Sequence, residues 1–134
     1  FDLSLKNEKV NKDNIINMQN KKTGALMGFC IESAPILADK KDLEKQFRSI
    51  GIKLGLLFQI TDDFLDKYGS AKILGKPVQQ DLAKGKYTLI DYLGEEETKK
   101  LMKSLQIEIE QDLKTFPKID SLLDCMSFIT SRKN

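Results

Sequence analysis

A run of apolar residues at helical spacing, from Lys41 to about Tyr68, restricts the fold of this chain more than any other feature. Its apolar side chains recur every three or four residues, which places them on one face of an α-helix of about seven turns. Asp39 and Asp42 near its start suit the positive end of a helix dipole, and Gly69 is the predicted stop. The apolar positions are Leu43, Phe47, Ile50, Leu54, Leu57, Phe58 and Leu65.

Three further segments have the same kind of pattern. Residues 14–37 form one predicted helix, which Pro35 should bend or end. Residues 95–116 form another, with an acidic first turn and Pro117 after its end, and residues 119–131 form a short last helix. Gly69 to Lys86 is the predicted loop. The fold class is therefore all-α, a helical bundle in one domain.

The predicted core follows from these stripes. In the segment 14–37 it consists of Met18, Ala25, Leu26, Phe29 and Ile36, and in the segment 95–116 of Leu101, Leu105, Ile109 and Leu113. Phe29, Phe47 and Phe58 are expected in the core, and Cys30 is expected to be a small buried side chain rather than a nucleophile.

Composition and charge exclude several kinds of function. Twenty-two basic and 20 acidic residues leave a net charge of +2, too balanced to indicate nucleic acid as a partner. The chain has no histidine, which excludes histidine bases and the usual zinc sites. No apolar run is long enough for a membrane span, and no secretory leader is evident. Two isolated cysteines fit a reducing environment, so we expect a cytoplasmic protein without stable membrane insertion.

An acidic group near the end of the long helix carries the strongest chemical signal. Asp62, Asp63 and Asp66 repel one another, the C-terminal end of the helix dipole disfavours them, and a divalent cation would turn that repulsion into attraction. Asp62 and Asp66 are one turn apart, so both can reach one cation through oxygen. Gly51 and Gly55 indicate room for a ligand or for a closely packed neighbour. A solvated acidic helix end remains the alternative, although the nearly apolar run before these residues makes it less favoured.

A second group of residues is basic. Lys22-Thr23-Gly24 opens an apolar helical stretch, and the two pairs Gly75-Lys76 and Gly85-Lys86 lie on either side of Asp81. Lysine beside glycine suits phosphate oxygens, since backbone N–H groups can approach the same anion. Neither Gly-Lys pair forms a Walker A loop, and as isolated lysines these residues are more often surface charges.

Taken together, these motifs resemble the C-terminal half of the trans-isoprenyl diphosphate synthases, of the bacterial farnesyl diphosphate synthase type. The resemblance runs from Asp2 to Lys133. It is carried in order by KTGAL (residues 22–26), GLLFQITDDFLD (55–66) and the GK…D…GKYT pattern (75–88). It implies one isoprenoid synthase helical bundle, of which residues 1–134 form the C-terminal part.

The resemblance also implies a reaction and roles for residues. The family condenses an allylic diphosphate with isopentenyl diphosphate and releases pyrophosphate, using three Mg²⁺ ions held between two aspartate-rich motifs; it is typically homodimeric. Asp62 would be the principal metal ligand of the second motif, with Asp63 and Asp66 acting directly or through water. The allylic diphosphate would be held by Lys22, Lys76 and Lys86, the developing cation would face Thr23 and Gln59, and Asp81 would orient the loop lysines.

The sequence departs from the family pattern in three ways. Gln79 stands where the family usually has glycine, and Leu89-Ile90 replaces a frequent proline. The first aspartate-rich motif is not in this sequence, so we expect this chain alone to be inactive and unstable as a monomer. The alternatives are a non-catalytic helical subunit or fragment that binds a partner, and a terpene cyclase or head-to-head synthase that shares the bundle.

Overall fold

The computed structural model describes residues 12–68 and 88–131. Every regular element in these two ranges is helical, which confirms the all-α fold class. The predicted loop from Gly69 to Lys86, and Gly69 as a helix stop, lie outside the described residues. The helices are α1 (Lys12–Gln19), a π-helix (Asn20–Gly24), α2 (Ala25–Leu37), α3 (Lys41–Tyr68), α4 (Leu89–Leu93), α5 (Glu95–Leu113) and α6 (Asp120–Ser131).

Helix α3 is the centre of the structure, and its bounds match the prediction. It contacts all the other helices, most extensively α2 and then α5. Ile50, Leu54 and Leu57 have no exposed surface, as their spacing on one helical face predicts. Helix α5 contributes the predicted Leu105, Ile109 and Leu113 to the same core. The remaining core residues are Ile15, Met18, Leu56, Ile60, Leu89, Met126 and Ile129.

At two glycines of α3, its backbone packs directly against the backbone of α2 and of the π-helix. A Cβ atom on Gly51 would lie 2.5 Å from the carbonyl oxygen of Met27, and one on Gly55 would lie 2.8 Å from the Cα of Gly24. Real Cβ atoms essentially never come so close to backbone. The two glycines that the sequence marked as room for a ligand or a neighbour thus make room for a neighbouring helix.

The predicted helix over residues 14–37 is divided in three. Its middle turn, Asn20–Gly24, is a π-helix, closed by a hydrogen bond from the Ala25 N–H to the Asn20 carbonyl oxygen. Pro35 lies inside α2, which ends two residues later at Leu37. Asp39 has φ 53°, and the Lys40 N–H donates to the Pro35 carbonyl oxygen, so a left-handed residue terminates α2.

The predicted core was wrong for most of α2. The exposed fractions are 66% for Leu26, 58% for Phe29 and 47% for Ile36, and Ala25 and Cys30 are also exposed. The reason is that α2 is apolar on nearly all sides, so the pattern carries no phase that selects an inner face. The side turned towards α3 is that of Gly28, whose small size the close packing requires.

Ion pairs join α5 and α4 to α3. The Lys53 ammonium lies 2.8 Å from Asp112 and 3.2 Å from Glu108 of α5, and the hydrogen bond with Asp112 is the main cause that raises the pKa of Lys53. Lys67 pairs with Asp91 of α4.

Within the described ranges, no helix is both long enough and apolar enough to cross a membrane.

Candidate functional site

The π-helix and the second half of α3 bring two predicted motifs side by side. Thr23, from the Lys-Thr-Gly motif, donates a hydrogen bond from its Oγ1 to the Oε1 of Gln59 over 3.2 Å. The contact depends on the glycines, because Gly24 follows Thr23 directly and meets Gly55 one helical turn before Gln59. Single π-turns are frequent at functional sites, where they displace side chains from the regular helical register.

Gln59 extends this contact along α3. Its amide nitrogen donates to Oδ1 of Asp63 over 3.2 Å, and both side chains are almost fully buried. The other carboxylate oxygen of Asp63, Oδ2, accepts a hydrogen bond of 3.1 Å from the amide nitrogen of Gln19. One continuous row of hydrogen bonds thus links Thr23, Gln59, Asp63 and Gln19.

Gln19 was missed by the sequence analysis. It is the last residue of α1 and has no exposed surface. A buried glutamine costs free energy unless its polar atoms are paired, and Asp63 provides that pairing for its nitrogen. Because Gln19 and Asp63 are 44 residues apart, no local spacing indicated their contact. The sequence offered one indication: Gln19 is a polar residue on the helix face that also carries the apolar residues Ile15 and Met18.

The three aspartates of the acidic group have different surroundings. Asp63 is 2% exposed and Asp66 is 7% exposed, whereas Asp62 is only partly buried. One residue along a helix is a rotation of about 100°, so Asp62 and Asp63 face different directions. Asp62 and Asp66 are one turn apart and share a side of α3, as the sequence analysis expected.

The carboxylates of the predicted metal site can be compared with what a cation needs. Among residues 12–68 and 88–131, no three His, Cys, Asp or Glu side chains are placed so that they alone could hold a metal ion. Asp62 and Asp66 offer hard carboxylate oxygens at a spacing that suits one cation. Magnesium is commonly bound by one or two carboxylates together with water and phosphate oxygens, so this pair fits it in chemistry and in number.

The basic residues are described only in part. Lys22 is exposed and lies in the π-helix beside Thr23. Lys76, Asp81 and Lys86, the predicted loop residues, lie outside the described residues.

The segment after that loop begins with a well-defined helix cap. The Thr88 hydroxyl accepts a hydrogen bond from the Asp91 N–H, and the Asp91 carboxylate accepts one from the Thr88 N–H. Burial raises the pKa of Asp91, but hydrogen bonds from Lys67 and Thr88 outweigh it and hold this pKa below its ordinary value. Because Lys67 follows Asp66 directly, its pairing with Asp91 fixes the end of α3 next to the acidic group.

Comparison with known proteins places these motifs in a family. The sequence model of the polyprenyl synthetase family matches residues 1–126. The chain is 39% identical over 113 residues to a farnesyl diphosphate synthase of Micrococcus luteus, covering 83% of this chain and 39% of that protein. It is 34% identical over 111 residues to a short chain isoprenyl diphosphate synthase of Methanocaldococcus jannaschii, covering 78% and 34%.

Solved structures agree on the fold. A geranylgeranyl pyrophosphate synthetase from Pyrococcus horikoshii superposes with a TM-score of 0.83 and 26% identity, covering 98% of this chain and 53% of that one. A heptaprenyl diphosphate synthase from Staphylococcus aureus gives a TM-score of 0.84 at 23% identity, covering 96% and 52%, and supports the fold alone. The chain thus spans under two fifths of the two curated relatives and about half of the solved structures. On the family match and these identities together, the chain belongs to the polyprenyl synthetase family.

Proposed function

We propose that this chain is the C-terminal portion of a prenyltransferase that joins an allylic diphosphate to isopentenyl diphosphate. In this reaction the allylic C–O bond breaks and pyrophosphate leaves. The resulting cation forms a C–C bond with the double bond of isopentenyl diphosphate, and a proton is then lost. The observation that carries the proposal is the contact between Thr23 and Gln59 beside the acidic group of α3, which joins two motifs from separate helices.

The described residues suit the two charges that this reaction creates. The Thr23 and Gln59 oxygens offer dipoles to an allylic cation in a largely buried setting, where such dipoles act strongly. Lys22, which directly precedes Thr23, supplies a positive charge for the departing pyrophosphate. We also infer that Lys76 and Lys86 bind the diphosphate and that Asp81 orients them.

Asp62 and Asp66 are the residues that would hold Mg²⁺. Bound there with the diphosphate, the ion would act as a Lewis acid that neutralises charge on the leaving group. The described carboxylates form no complete metal site, and the first aspartate-rich motif that the family resemblance implies is not in this sequence, so the full set of three ions requires further ligands. We therefore infer that this chain alone does not turn over, and that the active protein is a larger chain, homodimeric as in the family.

The product we propose is a short-chain prenyl diphosphate, with farnesyl diphosphate the first candidate. The relatives named for short-chain products include the farnesyl diphosphate synthase at 39% identity and the short chain synthase at 34% identity. That identity supports the type of reaction; a measured product size must establish the chain length.

A chimera tests the proposal. The part of the Micrococcus luteus enzyme that matches this chain is replaced by residues 1–134. Transfer from radiolabelled isopentenyl diphosphate to geranyl diphosphate is then measured with Mg²⁺, and the product is sized by chromatography. We expect product from the chimera, none from this chain alone, and a large loss with Asp62→Ala.

Two results would overturn the proposal. One is a soluble, helical chimera that forms no prenyl product. The other is a chimera that keeps full activity with Asp62→Ala. If the chimera does not fold, calorimetry with pyrophosphate and Mg²⁺ decides, using this chain together with the remaining part of the Micrococcus luteus enzyme. Pyrophosphate binding that does not depend on Mg²⁺, or no binding at all, would count against the site.

A further inference from the structure

Asp63 has a structural setting that its place in the acidic group does not explain. Its side chain is 2% exposed; one of its oxygens accepts a hydrogen bond from Gln59, and the other accepts one from Gln19. Asp62, the neighbour in sequence, lies on a more open side of α3. A carboxylate that holds two buried amides is poorly placed to serve at the same time as a ligand on the open side of the helix.

The contacts of Asp63 determine which way the Gln59 amide faces. An ionised carboxylate only accepts hydrogen bonds, so the amide end nearest Asp63 must be the NH₂ group. The carbonyl oxygen of Gln59 then points away from Asp63 and meets the Thr23 hydroxyl. Reversing the amide would place its oxygen against the carboxylate, where the two acceptors repel each other.

Gln19 secures Asp63 from the opposite side. Its amide nitrogen donates to the second carboxylate oxygen, and its side chain has no exposed surface. The carboxylate is therefore held at both oxygens, and its orientation is fixed by two residues from different helices. Hydrogen bonds to a charged group of this kind are stronger than those between neutral groups.

We propose that Asp63 is a positioning residue, held by Gln19, that fixes the Gln59 amide with its carbonyl oxygen towards Thr23 and the allylic group. This inference rests on the proposed prenyl transfer and deepens it. It gives Asp63 a part in stabilising the allylic cation, and it leaves the binding of Mg²⁺ to Asp62 and Asp66. It also adds Gln19 as a supporting residue.

The chemical consequence concerns the sign of the dipole that the cation meets. A carbonyl oxygen stabilises a nearby positive charge, and an NH₂ group in its place destabilises it. The negative charge of Asp63 on the far side of the amide further polarises that oxygen. Both effects act on the cationic transition state more than on the neutral allylic chain of the bound substrate, so they should appear in kcat.

The first test uses the chimera described above and needs no activity. Side-chain amide resonances of Gln59 and Gln19 are followed by ¹⁵N NMR in Asp63→Asn and in the matched control Asp62→Asn. We expect Asp63→Asn to shift the resonances of both amides. It should also raise the rate of solvent exchange of the Gln59 amide about tenfold, which corresponds to the loss of one such hydrogen bond. Asp62→Asn should leave both amides unchanged.

A second variant covers the case in which Asp63→Asn does not fold. Gln19→Leu removes one of the two donors, and Gln111→Leu on the exposed side of α5 is its control. We expect the Gln59 amide to shift in Gln19→Leu and not in Gln111→Leu. Unchanged Gln59 resonances in both Asp63→Asn and Gln19→Leu would overturn the positioning role.

The chimera described above then tests the link to the reaction. Asp63→Asn should lower kcat roughly 10- to 100-fold, as expected when a residue that orients a reacting group is lost, with KM for geranyl diphosphate within about twofold. Asp62→Asn should instead raise the Mg²⁺ concentration needed for half activity. A raised Mg²⁺ requirement in Asp63→Asn with unchanged kcat would make Asp63 a metal ligand and overturn the proposal.

The two parts fail separately. If the parent chimera makes no product while the amide resonances respond as expected, the proposed function is wrong and the structural role of Asp63 stands. If the chimera is active and Asp63→Asn changes neither kcat nor the amides, the positioning role is wrong and the proposed function stands.

Discussion

Gly24 and Gly55 meet backbone to backbone, since a Cβ atom on Gly55 would lie 2.8 Å from the Cα of Gly24. Thr23 precedes Gly24, and Gln59 lies one turn after Gly55 on the same side of α3. The close approach of the two helices therefore determines the distance between the two side chains that we assign to the allylic cation. A side chain on Gly55 would collide with Gly24 and separate the motifs.

The first prediction concerns the packing of these glycines. Gly51→Ala should lower the free energy of unfolding by about 1–3 kcal/mol, because its Cβ would meet the Met27 carbonyl oxygen at 2.5 Å, and backbone cannot easily move. Gly28→Ala is the matched control. Its Cβ would meet a movable Ile52 side chain at 3.0 Å, and alanine favours the helix by about 1 kcal/mol over glycine. Urea unfolding followed by circular dichroism measures both, and equal effects would contradict the prediction.

The second prediction concerns the Thr23 hydroxyl. Thr23→Val keeps the shape of the side chain and removes the hydrogen bond to Gln59, so it should cost about 0.5–1.5 kcal/mol of folding free energy. Thr23→Ser keeps the hydroxyl and should recover most of that loss. Denaturant titration of the three proteins tests this, and a serine variant no more stable than the valine variant would show that the hydroxyl contributes little.

The central helix and the positions of the acidic residues along it could be predicted in large part from the sequence. The steps of three and four in residues 41–68 gave the bounds of α3 and most of its buried face, because a half-buried helix leaves that period in its sequence. The spacing of Asp62 and Asp66 likewise placed them on one side of α3. Gly51 and Gly55 indicated close packing, since glycine inside a helix is otherwise unfavourable.

The rest depended on contacts between distant residues. The π-turn over residues 20–24 adds width to one turn without altering the apolar pattern, so periodicity does not reveal it. The role of Asp63 depends on Gln19, which comes from another helix. The exposure of Phe29 could not be predicted, because α2 is apolar on nearly all sides and its outer face is determined by what packs against it.

The third prediction concerns acid stability. The pKa of Asp91 is lower in the folded chain than its ordinary value, so Asp91 binds its proton less readily when folded. Its contribution is therefore fully present above the unfolded pKa, about 3.9, and is lost as the pH falls through the folded pKa. Asp91→Asn should lower the free energy of unfolding by about 1–3 kcal/mol at pH 7, and by progressively less below a pH of about 4.

Unfolding curves between pH 7 and pH 3 test the Asp91 prediction. Asp124→Asn, at an exposed position in α6, is the control and should change stability little at any pH. A difference between the parent chain and Asp91→Asn that stays constant over the whole range would show that Asp91 acts by its shape and not by its charge.

The last prediction concerns the outer face of α2, where Leu26 is 66% exposed and Phe29 is 58% exposed. Neighbouring apolar side chains of this size favour association, so this chain by itself should form species larger than its 15.3 kDa monomer. Leu26→Gln with Phe29→Gln should shift it towards the monomer, whereas Ile107→Gln, at an exposed apolar position on α5, should not. Sedimentation velocity distinguishes these cases, and a monomeric parent chain that melts cooperatively would show that α2 needs no partner.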